Sequence, residues 1–397
     1  MFKPLSRMTD PTAGGSPSRR SGSPRCWLGQ RSVRGTSQNC EALRCGRGHD
    51  GGVSSFIPAL ELNAVFYQDV VAPLLSRWSH SAARIGAGSE VLGFDSPRST
   101  DHGWGPQLVV FVAEENVAEA GRVVDVGLPE TFRGWPVRYG WDDTPVGHHV
   151  TVTTMADWFS EQLGVDPSAG LSAVDWLVVP QQKLVEVTSG AVYRDDGGML
   201  AHVQGSLEWY PEQVGLWILA CQWRRIAQEE AFVGRTAEAG DSLGSTLVSS
   251  RLARELMRLW FLLNRSYWPY MKWFGSAFAR LPGSRPLADA LEAAIAADDM
   301  ASREEALAAA YRLVADRHND TGLSDPVDPA VRTFHERPYR VLMADRFVDA
   351  CLARVDDPVL RQLPLVGSVD QLADSTDLLS YPDRARRLLA LYQSGGD

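Results

Sequence analysis

The stretch GAGSEVLGFDSPRSTDHGWGP, from Gly86 to Pro106, decides the fold. It opens on a Gly88-Ser89 turn, runs through a loop rich in Gly, Ser, Asp and Pro that carries Asp95, and reaches Ser99-Thr100-Asp101. An apolar run, Leu108-Val109-Val110-Phe111-Val112, follows and reads as a strand. A Gly-Ser turn ahead of a carboxylate suits a bound nucleotide. The turn lets backbone N–H groups approach a phosphate, and the acid carries a divalent metal. A loop that merely turns into a strand shows the same short pattern.

The order Gly88-Ser89 then Asp101 resembles the Gly-Ser...Asp-x-Asp signature of the DNA polymerase beta-like nucleotidyltransferase superfamily. The longer wording, GSEVLGFDS with STDH and WGP, is similar to the bacterial family known as domain of unknown function 4037, itself assigned to that superfamily. The resemblance implies a nucleoside triphosphate held by Gly88 and Ser89, with Mg²⁺ on Asp101. It also implies transfer of a nucleotidyl group to an unknown acceptor by in-line displacement. Asp95, inside the loop, is a further candidate metal ligand. His102, beside Asp101, either contacts the ligand or orients the loop. In such proteins a lysine of the helical part contacts the triphosphate, and Lys272, in WPYMKWFGSAF, matches the family wording there.

One departure bears on catalysis. Two residues after Asp101, where the superfamily pattern has a second Asp, this chain has Gly103. Alternate residues of a strand share a face, and a two-metal centre needs several carboxylate oxygens. Gly103 offers only its carbonyl. The next strand, His149 to Thr153, carries Thr151 and Thr153 rather than an acid, with Asp142 and Asp143 just ahead of it. A second reading therefore stands beside the enzyme: a catalytically impaired nucleotide- or small-ligand-binding protein of the same fold.

At 397 residues, two folded domains are expected, and 44% hydrophobic with 22% charged residues is ordinary for a chain that buries a core. A net charge of −10 argues against broad nucleic-acid binding, and no apolar run approaches the roughly 18 residues of a membrane span. Residues 1–52 differ from the rest: nine Lys or Arg against three acids, few aliphatic residues, much Gly and Ser. That composition predicts disorder. One reading makes this basic tail a tether; another puts the true start near Val53 and the tail in upstream sequence. Cys26, Cys40, Cys45 and His49 in the tail lack the tight pair that usually opens a zinc site. Cys221 and Cys351 read as core residues, and nothing suggests a disulfide framework, which fits a reducing cytoplasm.

The fold class is α+β. A small mixed-sheet, nucleotidyltransferase-like domain is expected over 53–166, followed by a mainly helical domain over 167–397. Leu60, Leu62, Val65, Phe66, Val70 and Leu74 form the stripe of an opening helix, and Ala156 to Leu163 another. After Pro167 the pattern reads as helical almost to the end. Gln222, Arg225 and Glu229 share one helix face, as do Arg251, Arg254 and Arg258. The arginines suit either phosphates or an interhelical network with Glu229, Glu230 and Asp241. Gly367-Ser368-Val369-Asp370 mimics a second Gly-Ser turn, lacks a following strand and reads as a loop.

Overall fold

The apolar runs on either side of the Gly86–Pro106 stretch pair with each other. Ser81–Arg84 forms β1 and Gln107–Phe111 forms β2, antiparallel, with Ser81 opposite Phe111 and Ala83 opposite Val109. This computed structural model describes residues 56–101, 103–141 and 144–393. The basic tail with its three cysteines and His49 lies outside the described residues, as do His102, Asp142 and Asp143. Phe56–Asp397 forms one compact unit by its contacts.

Ahead of β1, α1 (Ala59–Phe66) passes through a π turn at Tyr67–Val71 into α2 (Ala72–Leu74), so the predicted apolar stripe is one continuous helical rod. After β2 come α3 (Val117–Gly127), a short hairpin of β3 (Thr131–Phe132) and β4 (Trp135–Pro136), then β5 (Arg138–Trp141) and β6 (Thr144–Thr153). β6 runs parallel to β2, placing His149 beside Gln107, and β5 pairs antiparallel with β6. Next are α4 (Met155–Leu163), α5 (Ala173–Val178) and α6 (Gln181–Thr188).

The chain then does something the helical reading past Pro167 missed. Ala191–Asp195 forms β7, antiparallel to β1, and completes a mixed sheet in the order β5-β6-β2-β1-β7. Gly190 makes the junction possible: a Cβ there would overlap the Arg84 carbonyl. Beyond β7 the chain is mainly helical. It continues with α7 (Met199–Ser206), α8 (Glu212–Glu229), α9 (Phe232–Glu238), α10 (Ser242–Leu263), α11 (Met271–Ala279), α12 (Ser284–Ala296) and α13 (Met300–Thr321). A small hairpin, β8 (Arg332–Thr333) with β9 (Arg340–Val341), precedes α14 (Asp345–Leu352), α15 (Val369–Leu372), α16 (Thr376–Leu379) and α17 (Pro382–Arg386). Ser368, expected in a loop, instead starts α15 with a capping box closed by Gln371.

Alternation along β1 and β2 builds two cores. Ala82, Leu108 and Val110 face Phe66, Val71 and Leu75 and the α3 residues Ala120 and Val124. Ala83, Val109 and Phe111 face Trp158 and Phe159 of α4. This second core runs on through Leu177, Leu184, Trp217 and Leu256 of the helical part. Among the described residues no helix is long and apolar enough to cross a membrane.

Candidate functional site

The site builds outward from Arg84, the last residue of β1. Its guanidinium donates to the carbonyls of Ile85 (2.8 Å) and Ala87 (2.7 Å) and pairs with Glu90; both charged side chains are buried. The Gly-Ser turn thus wraps around an ion pair. Gly88 has φ +152°, and a Cβ there would come within 2.5 Å of Arg84 Nη2 and would overlap the Glu90 carboxylate. The Gly86 N–H donates to the Glu186 carbonyl of α6 at 2.8 Å, tying the turn to the helical part. Ser89 is half-buried, and its hydroxyl has no hydrogen-bond partner among the described residues.

Past the turn, the loop is pinned twice more. Phe94 stacks on Trp273 of α11, ring centroids 4.8 Å apart and 7° from parallel, while the Arg280 guanidinium lies 3.7 Å from the Phe94 centroid. Arg280 Nη2 also donates to the Gly93 carbonyl at 2.9 Å. Asp95 Oδ2 accepts the Ala59 N–H at 2.8 Å, so this carboxylate caps the start of α1. That duty competes with the metal role expected of Asp95.

Asp101 ends a 3-10 turn, Pro97–Asp101, and is exposed. It stands ahead of β2 rather than on it. Gly103 has φ +60°, and a Cβ there would meet the Trp141 ring at 3.3 Å. Around it, Gln107 Nε2 donates to the Gly103 carbonyl (2.8 Å) and the Gln107 N–H to Asn63 Oδ1 (2.7 Å). Tyr139, Trp141 and His149 form a ring cluster on this side, with His149 Nε2 bonded to the Tyr139 carbonyl at 2.9 Å. Burial pushes the His149 pKa down and the Tyr139 pKa up, so both rings are neutral near pH 7.

Beneath the turn lies a pair the sequence reading passed over. Lys183 Nζ and Glu186 Oε2 of α6 are 2.9 Å apart and buried. Burial raises the Glu186 pKa, and the Lys183 and Arg84 charges pull it back only in part. Tyr270, at the start of α11, accepts a hydrogen bond from Trp273 Nε1 at 2.9 Å and feels both Glu186 and Glu90. Lys272 is exposed, its Nζ 4.9 Å from the Trp273 centroid, one residue from the ring that stacks on the loop.

The structure thus joins Gly88, Ser89, Asp95 and Asp101 along one loop and brings the α11 start carrying Lys272 against it. Among the described residues, no three His, Cys, Asp or Glu side chains gather to hold an ion. Asp101 is the loop acid left exposed, so Mg²⁺ would have a single carboxylate there and would complete its shell from water and ligand oxygens. A cavity of about 290 Å³ lies elsewhere, lined by Pro167, Trp176, His202 and Leu207 among others, and includes no residue of the loop.

The arginine stripe of α10 resolves as architecture. Arg258 and Arg225 bind Glu255 at 3.3 and 3.1 Å, Arg251 binds Glu229 at 2.9 Å, and Arg254 binds Asp374 at 2.9 Å. Gln222 Nε2 donates to Glu255 at 2.9 Å, so its face is interior rather than solvated. Glu230 and Asp241, the other expected partners, cap backbone instead. Glu230 accepts the N–H groups of Leu342, Met343 and Ala344, and Asp241 accepts that of Gly244.

With this α+β fold in view, the comparisons add one family. Residues 176–274 match the model of the family described as Domain of unknown function (DUF4037). That span runs from α5 to α11 and contains Lys183, Glu186 and Lys272, while Gly88 and Asp101 lie ahead of it. Among curated proteins none matches the chain. Among solved structures, a nucleotidyltransferase-like protein from Exiguobacterium sibiricum 255-15 is similar at 12% identity, covering 77% of this chain and 92% of its own, with a TM-score of 0.32. A likeness of that degree carries no inference about activity.

Proposed function

We propose that this protein binds the triphosphate of a nucleotide, with Mg²⁺, where β1 ends and β2 begins, and that it is a binder with at most slow nucleotidyl transfer. One observation carries this reading: the loop spends Glu90 on Arg84 and Asp95 on α1, and leaves Asp101 exposed. A single carboxylate holds Mg²⁺ weakly until phosphate oxygens join the shell. Transfer to an acceptor hydroxyl is the reaction such a site would carry, slowed by Gly103 in place of a second acid. The negative net charge favours a small or protein acceptor over nucleic acid, and the buried free thiols of Cys221 and Cys351 fit the cytoplasm.

The test is a thermal-shift panel of nucleoside triphosphates with and without Mg²⁺ or Mn²⁺. A metal-dependent rise in Tm is expected, because a ligand bound to the folded state stabilises it by mass action. No shift with any nucleotide at millimolar concentration would sink the reading.

A further inference from the structure

Helix α6 keeps polar side chains where a core helix keeps none. Of its eight residues, Gln181, Gln182, Lys183 and Glu186 are all buried polar groups. Two have architectural duties. Gln181 donates its N–H to Asp370 and accepts the Trp268 N–H on Oε1 at 3.3 Å; Gln182 Nε2 donates to Ser380 Oγ at 3.3 Å. Lys183 and Glu186 hold only each other by side-chain hydrogen bonds, at 2.9 Å. An ammonium group carries three donors, and a buried ion pair stabilises a fold only when the remaining donors and lone pairs are filled. Here Lys183 fills one, with its side chain 11% exposed against 5% for Glu186. A pair so placed gains little for folding, yet it sits under the turn: the Glu186 carbonyl accepts the Gly86 N–H, and Arg84 acts on the Glu186 carboxylate.

We propose that Lys183 is the cation that takes the phosphates of a ligand held at the Gly86–Ser89 turn, and that Glu186 positions its ammonium until the ligand displaces the carboxylate. This rests on the nucleotide-binding reading above. A polyphosphate carries more charge than one carboxylate and offers more acceptors to a three-donor ammonium. Burial already pushes the Glu186 carboxyl up against the pull of Lys183 and Arg84, so loss of its partner favours the neutral form further. Lys272, by contrast, is exposed on α11, with its Nζ 4.9 Å from the Trp273 centroid.

Calorimetry on the full chain tests this with two probes, Mg·ATP and inorganic tripolyphosphate, against the parent, Glu186→Gln, Lys183→Met and the double variant. Glu186→Gln frees the ammonium and should tighten both probes by roughly threefold to tenfold, the scale of one charge-assisted hydrogen bond. Lys183→Met and the double variant should both weaken them by roughly tenfold or more. A purely structural pair gives the opposite sign, since losing its carboxylate would loosen the site or leave it unchanged. Should Lys183→Met fail to fold, the sign of the Glu186→Gln effect decides alone. If the parent binds both probes, and Glu186→Gln binds them no tighter, the proposal falls and the nucleotide-binding reading stands. If the parent binds neither, both fall.

Discussion

Two buried ionic clusters in this molecule have opposite characters. Around Glu255, in the helical part, the charges are over-compensated: Arg258, Arg225 and Arg254 all lie within 3.4 Å of its carboxylate, and Gln222 adds a hydrogen bond. Burial alone would raise that carboxyl, yet Arg258 and Arg225 hold it at about 2. Around Glu186, beneath the Gly88 turn, one lysine and a more distant arginine answer a carboxylate just as buried, and its pKa is raised. The first cluster is saturated and ties α8 to α10. The second is short of partners and lies against the loop that leaves Asp101 exposed. The difference separates architecture from the place we propose for a ligand, and it does so where residue identity alone cannot, because both clusters are built from charged residues on helices.

The largest effect should come from breaking the saturated cluster. Glu255→Leu leaves Arg225 and Arg258 buried without their carboxylate, which costs about 3–5 kcal/mol. Chemical denaturation should register that loss. A change under about 1 kcal/mol would mean the arginines find other partners and the cluster is no knot at all.

Next comes pH. Burial raises Asp370 from 3.8, and Glu230 from 4.5, to about 7, against the pull of Gln181 N–H and Arg258 on the first and of three backbone N–H groups on the second. Both are therefore protonated in the fold at pH values where the unfolded chain has released the proton. Their contribution to stability is full below the unfolded values and falls as pH rises to about 7. Glu255 works the other way, its contribution being lost as pH falls from 4.5 toward 2. Between pH 5 and 7, stability should decline with rising pH at up to about 1.4 kcal/mol per unit for each raised group. Asp370→Asn should flatten part of that slope. An unchanged slope would show that Asp370 is ionised throughout and that burial does not raise its carboxyl.

A smaller effect is expected at the turn itself. Gly88→Ala forces a Cβ against Arg84 at positive φ and should cost about 1–3 kcal/mol while weakening any ligand at the turn. A variant as stable as the parent, with ligand affinity intact, would mean the turn readily re-forms around a side chain. The positions of Gly88 and the Arg84–Glu90 pair would then matter less than the geometry implies.

Much of the sheet was legible. The alternating, β-branched run at 108–112 and the Gly-rich loop ahead of it announce a strand–turn–strand unit, and period-3.6 stripes announce α1, α4, α8 and α10. β7 was missed because Ala191-Val192-Tyr193-Arg194-Asp195 is short and stands among helices, although Gly190 and Gly197-Gly198 bracket it as strand-ending glycines would. The capping box Ser368...Gln371 was legible by its spacing yet hidden by the attention a Gly-Ser pair attracts. Asp95 illustrates a deeper limit. Its partner, the Ala59 N–H, lies 36 residues away, and no local pattern encodes that contact. The same holds for Lys183 and Glu186. Polar residues at 181, 182, 183 and 186 carry no local sign of burial, and only the tertiary setting turns them inward, with α4 and α7 packed against α6 and Asp370 of α15 on the Gln181 N–H.

The most direct test is calorimetric titration of ATP, with and without Mg²⁺, and of Mg²⁺ alone, into the parent and Asp101→Asn. The account predicts binding in the parent that depends on Mg²⁺, little Mg²⁺ binding without nucleotide, and loss of the metal dependence in Asp101→Asn. Asp101→Asn binding Mg·ATP as the parent does would contradict the metal role of Asp101, and the Gly88–Asp101 loop would then mark ancestry alone.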